Sequence, residues 1–483
     1  MKNSKIILYL MVIVSIILCI PSIIYLINNK TVDGFDGYYT YVLSRTGIST
    51  IAIISAIVVI GTLLLFSILY LIIIKKEKEI FKSKKQAMIY IIIISCIFMM
   101  ILPFLSSDIY YYIGDSWLCS KYHENPYYTT VKDLQDRGIN DEILNNAGPW
   151  KNTVTVYGPL FNIISIILSY VSFGKITLAL FIFKMVSLLI HIINSYIIEK
   201  ITKSRKYMLL YGLNPLILIE LISNVHNDIY LILFLLLALY FLIRKKNIPL
   251  TVFFLALSMA IKFATILIVP FVLLYCFRKE KVPKRIVYSI LSGIPIIAIV
   301  VILYMPFFKD ISIFTNMLVQ GGRYSQSIMA LLMVKLKRNN IFMNINTYRI
   351  AVFAVIYILI LIKILITKKI NLKYIMKRYN ILILLFVFIC LTNFQKWYIL
   401  WLFPTIIWHN KYMRYFIINL TTTAIIPSYN YFLVENDAFS EGLYYSLTVI
   451  VLASVICIIK TIYNIVLKKR RKNIRENCNI KPI

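Results

Sequence analysis

The segment Ile51–Ile74 reads IAIISAIVVIGTLLLFSILYLIII and contains no charged residue. An α-helix needs about 20 consecutive apolar residues to cross the hydrocarbon core of a bilayer, and this run is long enough. Similar apolar runs recur along the whole chain of 483 residues, which is 60% hydrophobic. The sequence therefore predicts an all-α, polytopic integral membrane protein that lies in a lipid bilayer.

The charged residues are distributed as in a membrane protein. Lysine and arginine total 52 against 20 acidic residues, and a net charge of +32 would also suit a nucleic-acid-binding protein. Most of the basic residues, however, form short clusters between apolar runs, as the positive-inside rule expects of cytoplasmic loops. The clearest clusters are Lys75–Lys78, Arg244–Lys246, Arg278–Lys281 and Lys468–Lys472. We therefore predict a multi-pass protein of the cell membrane with no nucleic-acid partner.

Placing the basic clusters inside gives about 13–14 transmembrane helices, a partial helix over Tyr157–Tyr170 and both termini inside. The first apolar run, Ile6–Ile27, is long for the h-region of a signal peptide, so we expect a retained helix. Residues 106–156 and 306–347 are predicted to form external loops. The predicted organisation is N-terminal transmembrane helices over 1–85, a central membrane module over 86–305, a C-terminal membrane module over 306–467 and a basic cytoplasmic tail over 468–483.

The first predicted external loop begins with Ser106–Asp115, SSDIYYYIGD. A carboxylate just outside a membrane helix needs an explanation, because membrane edges usually carry Trp, Tyr and Lys. One interpretation of Asp108 is a solvated carboxylate at a helix end. The functional hypothesis is a catalytic general base that removes a hydroxyl proton, with a pKa raised by apolar surroundings. Asp115, about two helical turns further on, is the alternate catalytic base.

Further polar residues fall on the same predicted side of the membrane, where ionisable groups are functional hypotheses by default. They are His226-Asn227-Asp228, Lys262, Arg323 and Lys396-Trp397. Lys262, in the middle of an apolar run, is expected to bind an anionic lipid phosphate as a point charge, with Arg323 and Lys396 as second choices. A His–Asp pair is more often a helix cap than a metal site. No metal site or cofactor is therefore predicted, and a divalent cation is not indicated.

Aromatic residues and turns accompany these charges. Tyr110, Tyr127 and Tyr157 are either interfacial anchors or stacking partners for sugar rings. Proline fixes its own φ and restricts the preceding residue, so Asn125-Pro126-Tyr127 and Tyr157-Gly158-Pro159 are predicted turns. Asn125 and the three tyrosines join the polar residues above as expected substrate contacts.

Taken in order, several short motifs resemble those of the polytopic GT-C glycosyltransferases and are most similar to polyprenol-phosphate-mannose-dependent α-1,6-mannosyltransferases. The motifs are Ser107-Asp108, Asn125-Pro126-Tyr127, Tyr157-Gly158-Pro159-Leu160, Asn214-Pro215-Leu216, His226-Asn227-Asp228, Lys262 and Lys396-Trp397-Tyr398. The resemblance implies a polyprenyl-phosphate-linked sugar donor, inverting transfer on the outer membrane face, and Asp108 as the base. It also suggests Lys262 near the donor phosphate and residues 226–228 near the cavity.

These expectations combine into a membrane glycosyltransferase that moves mannose or another hexose to a cell-envelope glycan or glycolipid acceptor, with its active site facing outward. Two alternatives stay open. A lipid-glycan flippase or secondary transporter would show paired repeats and a site at the membrane midplane, whereas the polar clusters here are one-sided. An envelope polymerase or ligase would also lie in the membrane, with its base in the second external loop.

Overall fold

The computed structural model describes residues 2–29, 50–318, 323–367, 369–424 and 449–460. Helices make up most of this part of the chain, and its one β contact is an isolated bridge between Ser325 and Asn393. Most of the predicted loop over 28–47, the predicted loop over 434–442 and the basic tail over 468–483 lie outside the described residues.

Within the described residues, thirteen α-helices lie before Lys262 and eight lie after it. The first group is α1 (Lys2–Asn29), α2 (Thr50–Lys75), α3 (Glu77–Ile80), α4 (Lys84–Met99), α5 (Asp108–Tyr122), α6 (Val131–Asp136), α7 (Glu142–Asn145), α8 (Pro159–Tyr170), α9 (Ile176–Thr202), α10 (Arg205–Gly212), α11 (Pro215–Ile217), α12 (Asp228–Tyr240) and α13 (Ile248–Ile261). The second group is α14 (Val269–Cys276), α15 (Val282–Tyr304), α16 (Ser312–Leu318), α17 (Ile328–Lys335), α18 (Asn340–Ile366), α19 (Leu372–Leu385), α20 (Lys411–Thr423) and α21 (Val449–Lys460).

Tighter and wider helical turns join or extend these elements. The 3-10 helices are Gly148–Trp150, Phe263–Leu267, Met305–Phe307 and Lys396–Trp408. The π-helical turns are Leu218–Ser223, Phe241–Lys245 and Phe386–Cys390. Such turns are frequent at functional sites, and two of these segments carry residues of the candidate site described below.

Within the residues that the structure describes, five helices, α1, α2, α9, α15 and α18, are long and apolar enough to cross a membrane. The bent pair of Arg205–Gly212 and Pro215–Ser223 makes a sixth if it counts as one span. The prediction of an all-α polytopic membrane protein is confirmed. The predicted number of about 13–14 spans also counted shorter apolar segments, and helices such as α13 are too short for a straight crossing.

The bend in this pair has a local cause. Leu213 and Asn214 separate its two helices, which meet at 45°. The Asn214 side chain caps the second helix by accepting from the backbone N–H groups of Leu216 and Ile217 at 3.0 and 3.2 Å. Pro215 suits the first helical position because its missing N–H would have no partner there. The break directs the π-helical turn Leu218–Ser223 and the residues after it toward the start of α5.

The region 106–156 is folded around a buried carboxylate. Asp141 caps α7 by accepting from Ile143 N and also accepts hydrogen bonds from Trp117 Nε1, Lys121 Nζ and Tyr122 Oη, at 2.7–3.1 Å. Its interactions therefore join the end of α5 to α7, and Thr130 and Asp133 close a capping box at the start of α6. The predicted loop is thus an ordered platform that fixes α5.

Gly158 places this platform against the end of α13. Its backbone N–H donates to Ile261 O at 3.1 Å, directly before Lys262, which is extended and ends the helix. A Cβ atom at Gly158 would lie 2.1 Å from Ala260 O. The predicted turn at 157–159 therefore requires glycine because two backbones approach each other.

We expect Gly158→Ala to destabilise the protein by about 3 kcal/mol, because the added methyl group must displace backbone rather than a flexible side chain. Thermal unfolding in detergent micelles would measure the effect. The control is Gly61→Ala in α2, where a Cβ atom meets nothing within 4 Å. Equal melting temperatures for the two variants would contradict the close approach.

Candidate active site

Asp108 is the first residue of α5, and Ser107 precedes it as the N-cap. A helix N-terminus favours a negative charge. The Tyr112 hydroxyl, one turn further on, donates to Asp108 Oδ2 at 3.4 Å. The Asp108 side chain keeps 18% of its surface exposed. Its carboxylate is therefore both held in place and accessible to a reactant.

His226 lies behind Asp108 and is fully buried. Its Nδ1 atom is 3.5 Å from Asp108 Oδ2, and its Nε2 atom is 3.1 Å from Glu220 Oε2. Trp397 stacks on the imidazole ring with a centroid distance of 3.5 Å and an interplanar angle of 23°. The ring is thus fixed between two carboxylates and reaches a substrate only through Asp108.

Glu220 is a member of the site that the sequence analysis missed. It lies in the π-helical turn Leu218–Ser223 and is fully buried. Its Oε1 atom is 3.0 Å from Lys396 Nζ, and Asn224 Nδ2 donates to its Oε2 atom at 3.0 Å. The available signal was an acidic residue inside an apolar run, which is a functional hypothesis by default. Asp108, His226, Glu220 and Lys396 thus form one row of alternating charge.

A second ion pair lies beside this row. Lys262 Nζ is 3.1 and 3.2 Å from the two carboxylate oxygens of Asp228, which also accepts from Trp401 Nε1 at 2.5 Å. The ammonium group lies over the rings of Tyr398 and Trp401, at 4.8 and 5.5 Å from their centroids. Asp228 is fully buried, whereas 20% of the Lys262 side chain is exposed. Lys262 is therefore the accessible cation of the pair.

Neighbouring charges set the protonation of Asp108 and His226. Burial raises the pKa of Asp108, but the hydrogen bond and positive charge of His226, with the charge of Lys262, outweigh it and hold the pKa below its usual value. Burial opposes protonation of His226, but its contacts with Asp108 and Glu220 raise its pKa above the usual value. The prediction that the pKa of Asp108 is raised is therefore wrong. It assumed apolar neighbours, whereas the carboxylate lies at a helix N-terminus beside the charges of His226 and Lys262.

Asp115, the alternate base, lies on the same helix but in a different environment. Only 4% of the residue is exposed, and burial raises its pKa well above the usual value, while Tyr111 and Thr155 partly offset that rise. General base catalysis depends first on reach and then on pKa. Asp115 is therefore more deeply buried than Asp108 and its surroundings favour the neutral carboxyl form, so Asp108 is the better candidate.

The remaining predicted substrate contacts divide into a set that lies away from Asp108 and a set that lies near it. Asn125, Tyr127, Tyr110 and Arg323 form the first set. Asn125 donates to Phe307 O at 2.7 Å, and buried Tyr127 donates to Tyr157 O at 2.7 Å, so these side chains hold the platform together. Tyr110 is also fully buried. Arg323 lies over Trp150 at 4.8 Å from the ring centroid rather than beside Lys262.

Tyr157 and Asn227 form the second set, which lies near the Asp108 carboxylate. The Tyr157 ring is half-buried and packs edge-on against Tyr112 at a centroid distance of 4.9 Å. Asn227 is buried beside the His226 and Asp228 ion pairs, and neither polar atom of its side chain has a hydrogen-bond partner within the described residues. The half-buried ring of Tyr157 is therefore suited to a ligand that brings a ring face, whereas Asn227, at 1% exposure, does not reach a ligand.

Residues 29–278, just over half of the chain, match the family model of the alpha-(1->6)-mannopyranosyltransferases, N-terminal domain, also called the MptA_B family. The matched region includes Asp108, Glu220, His226, Asp228 and Lys262. No curated protein and no solved structure matches the chain. The predicted resemblance to mannosyltransferases of the GT-C type is confirmed. The chain therefore belongs to the alpha-(1->6)-mannopyranosyltransferase family and is a membrane glycosyltransferase.

Proposed function

We propose that the protein transfers mannose from a polyprenyl-phosphate-linked donor to a cell-envelope glycan or glycolipid on the outer face of the cell membrane. The observation that carries this proposal is the placement of Asp108, an accessible carboxylate at a helix N-terminus in contact with buried His226 and near the accessible Lys262 ammonium. A base with a cation near it suits a reaction that removes a proton from one reactant and releases an anion from the other.

The proposed reaction is a single displacement at the anomeric carbon of the donor sugar. Asp108 takes the proton of an acceptor hydroxyl group as its oxygen forms a bond to that carbon. The bond between the anomeric carbon and the phosphate oxygen breaks at the same time, and the phosphate leaves with the electron pair. The products are a mannosylated acceptor and polyprenyl phosphate, with the proton on Asp108.

Lys262 is placed to stabilise the leaving phosphate. Its side chain is the exposed member of the Lys262–Asp228 pair, and the rings of Tyr398 and Trp401 restrict its ammonium group to one region. A preorganised cation stabilises developing charge without rearranging during the reaction. The half-buried ring of Tyr157 supplies an apolar face for the sugar next to Asp108.

His226 has a supporting role in this proposal. It is fully buried, so it acts on the substrate only through Asp108. Its position between the Asp108 and Glu220 carboxylates favours a protonated ring, which keeps Asp108 ionised. Lys396 on the far side of Glu220 balances the remaining charge. The row therefore fixes the orientation and the ionisation of the base.

The direct test is sugar transfer by the purified protein in liposomes, with polyprenyl-phosphate mannose, glucose and galactose as donors and a lipid-linked mannoside as acceptor. We expect release of polyprenyl phosphate and a mannosylated acceptor with the mannose donor. Flipping of the lipid-linked sugar across the bilayer without release of polyprenyl phosphate would instead support the flippase alternative.

We expect His226→Gln to lower transfer at neutral pH about 10- to 100-fold, because the base loses its positioning partner. The pH dependence should change as well. The contact with His226 depresses the pKa of Asp108, so activity is retained until the pH falls below the usual carboxyl range. Without that contact the pKa of Asp108 rises, and the acid limb of the profile moves to higher pH.

The control for this variant is His123→Gln, since His123 is exposed and lies at the end of α5. Steady-state rates between pH 3.5 and 8 would give the profile of each protein. An acid limb of His226→Gln that coincides with that of the wild type would contradict the proposed role of the imidazole.

A further inference from the structure

Lys184 lies within the membrane-spanning helix α9, and only 4% of it is exposed. Its Nζ atom donates to Ile101 O and Ser223 O, both at 2.7 Å, and to Ile222 O at 3.5 Å. Within the described part of the chain no carboxylate lies at ion-pair distance from this ammonium group. A buried lysine that binds only backbone carbonyl groups is costly, so its role needs an explanation.

The three carbonyl groups belong to two segments that meet at the candidate active site. Ile101 follows the end of α4, and this segment leads into α5 and Asp108. Ser223 ends the π-helical turn that carries Glu220, shortly before His226. The Ser223 hydroxyl adds a second connection by donating to Phe98 O in α4 at 2.9 Å. Lys184 therefore provides hydrogen-bond donors where two helical segments end and their last carbonyl groups have no partner within the helix.

We propose that Lys184 and Ser223 are positioning residues that hold the segment carrying Asp108 against the segment carrying His226. Neither residue contacts the substrate, because both are buried behind the site. They affect the site by fixing the distance between the Asp108 carboxylate and the His226 imidazole. The kinetic part of the test rests on the proposed function, whereas the spectroscopic part does not.

The first test is Lys184→Met, which keeps an unbranched side chain of similar length and removes all three donors. The matched control is Lys200→Met, a change at the other end of the same helix, where the ammonium group lies over the Tyr196 ring. We expect kcat of Lys184→Met to fall about 10- to 100-fold, since small misplacements of reacting groups have effects of this size. KM for the donor should stay close to the wild-type value. A variant with lower thermal stability but an unchanged kcat per folded molecule would overturn the proposal.

The second test does not depend on activity. The chain has four histidines, so an NMR titration of histidine-labelled protein is feasible, and His226→Gln assigns the His226 signal. Contact with Asp108 and Glu220 raises the pKa of the His226 ring. We therefore expect this pKa to fall in Lys184→Met, and to fall by less in Ser223→Ala.

Ser223→Ala decides the result if Lys184→Met does not fold, because it removes one hydroxyl group from the same connection. A His226 titration that is unchanged in the folded variants would overturn the proposal. If the wild type transfers sugar from no donor, the proposed function fails, and the titration still decides whether Lys184 and Ser223 position the two segments.

Discussion

Asp108→Asn is expected to reduce sugar transfer about 10²- to 10⁴-fold, the range that positioned general bases contribute. Asparagine keeps the size of the side chain and an oxygen that can accept from the Tyr112 hydroxyl, which lies 3.4 Å from the carboxylate. It cannot take the proton of the acceptor hydroxyl group. Donor binding should persist, because the substitution removes the proposed base and leaves the Lys262 ammonium group in place.

The measurement is the release of polyprenyl phosphate at matched amounts of folded protein, together with donor binding by each variant. Asp115→Asn is the matched control, because Asp115 lies on the same helix and was the alternate base. Burial raises the pKa of Asp115 well above its usual value and so favours the neutral carboxyl form, for which an amide is a close replacement. We expect this control to stay within about threefold of the wild type. The reverse ranking of the two variants would move the base to Asp115.

Lys262→Met is expected to lower kcat about 10²- to 10³-fold, by analogy with the loss of one donor that stabilises developing negative charge. The variant also leaves Asp228 fully buried without its cation. Breaking a buried ion pair in this way costs about 3–5 kcal/mol of stability. The single variant therefore combines a chemical effect with a structural one.

The double variant Lys262→Met/Asp228→Asn separates the two effects. Removing both charges should restore most of the thermal stability, because no unpaired buried charge remains. It should not restore kcat, because the leaving phosphate still lacks the ammonium group. Lys175→Met is the control, since Lys175 is exposed and pairs with Glu142, away from the candidate site. A double variant that transfers sugar at the wild-type rate would remove Lys262 from the mechanism.

The row of charges also explains how a membrane protein tolerates so many ionisable groups in one place. Asp108 lies against His226, Glu220 against Lys396 and Asp228 against Lys262, so each of these three acids has a basic partner. Buried charges are retained where they are paired and hydrogen-bonded. Only Asp108 and Lys262 keep a clearly exposed part of the side chain, and these are the two groups for which we propose direct roles.

The sequence predicted individual site residues better than their roles. Asp108, His226, Asp228, Lys262, Lys396 and Trp397 were all expected near one site, and the structure brings them together. His226 was expected to contact substrate, but it is buried between two carboxylates. Arg323 was a second choice for the phosphate, but it lies over Trp150. Asn125 and Tyr127 were expected substrate contacts and instead hold the platform through hydrogen bonds to backbone carbonyl groups.

What the sequence by itself determined is the class of structure and the break points of its helices. Uninterrupted apolar runs must be helical in a bilayer, because every backbone polar group needs a partner within the segment. Pro215 marks the start of a helix for a steric reason that acts locally, because its missing N–H would have no partner at that position. These properties depend on neighbouring residues in the chain, so they can be predicted without the fold.

The tertiary structure alone decided which charges meet. The partners Glu220 and Lys396 are far apart in the sequence, and no periodicity relates them, yet their charged atoms lie 3.0 Å apart. The direction of the pKa shift of Asp108 was decided in the same way. The pKa is lowered because of His226 and Lys262, which are distant in the sequence, and not raised by the apolar residues beside Asp108. Electrostatic interactions depend on distance in space and on burial, and both are fixed only when the helices pack.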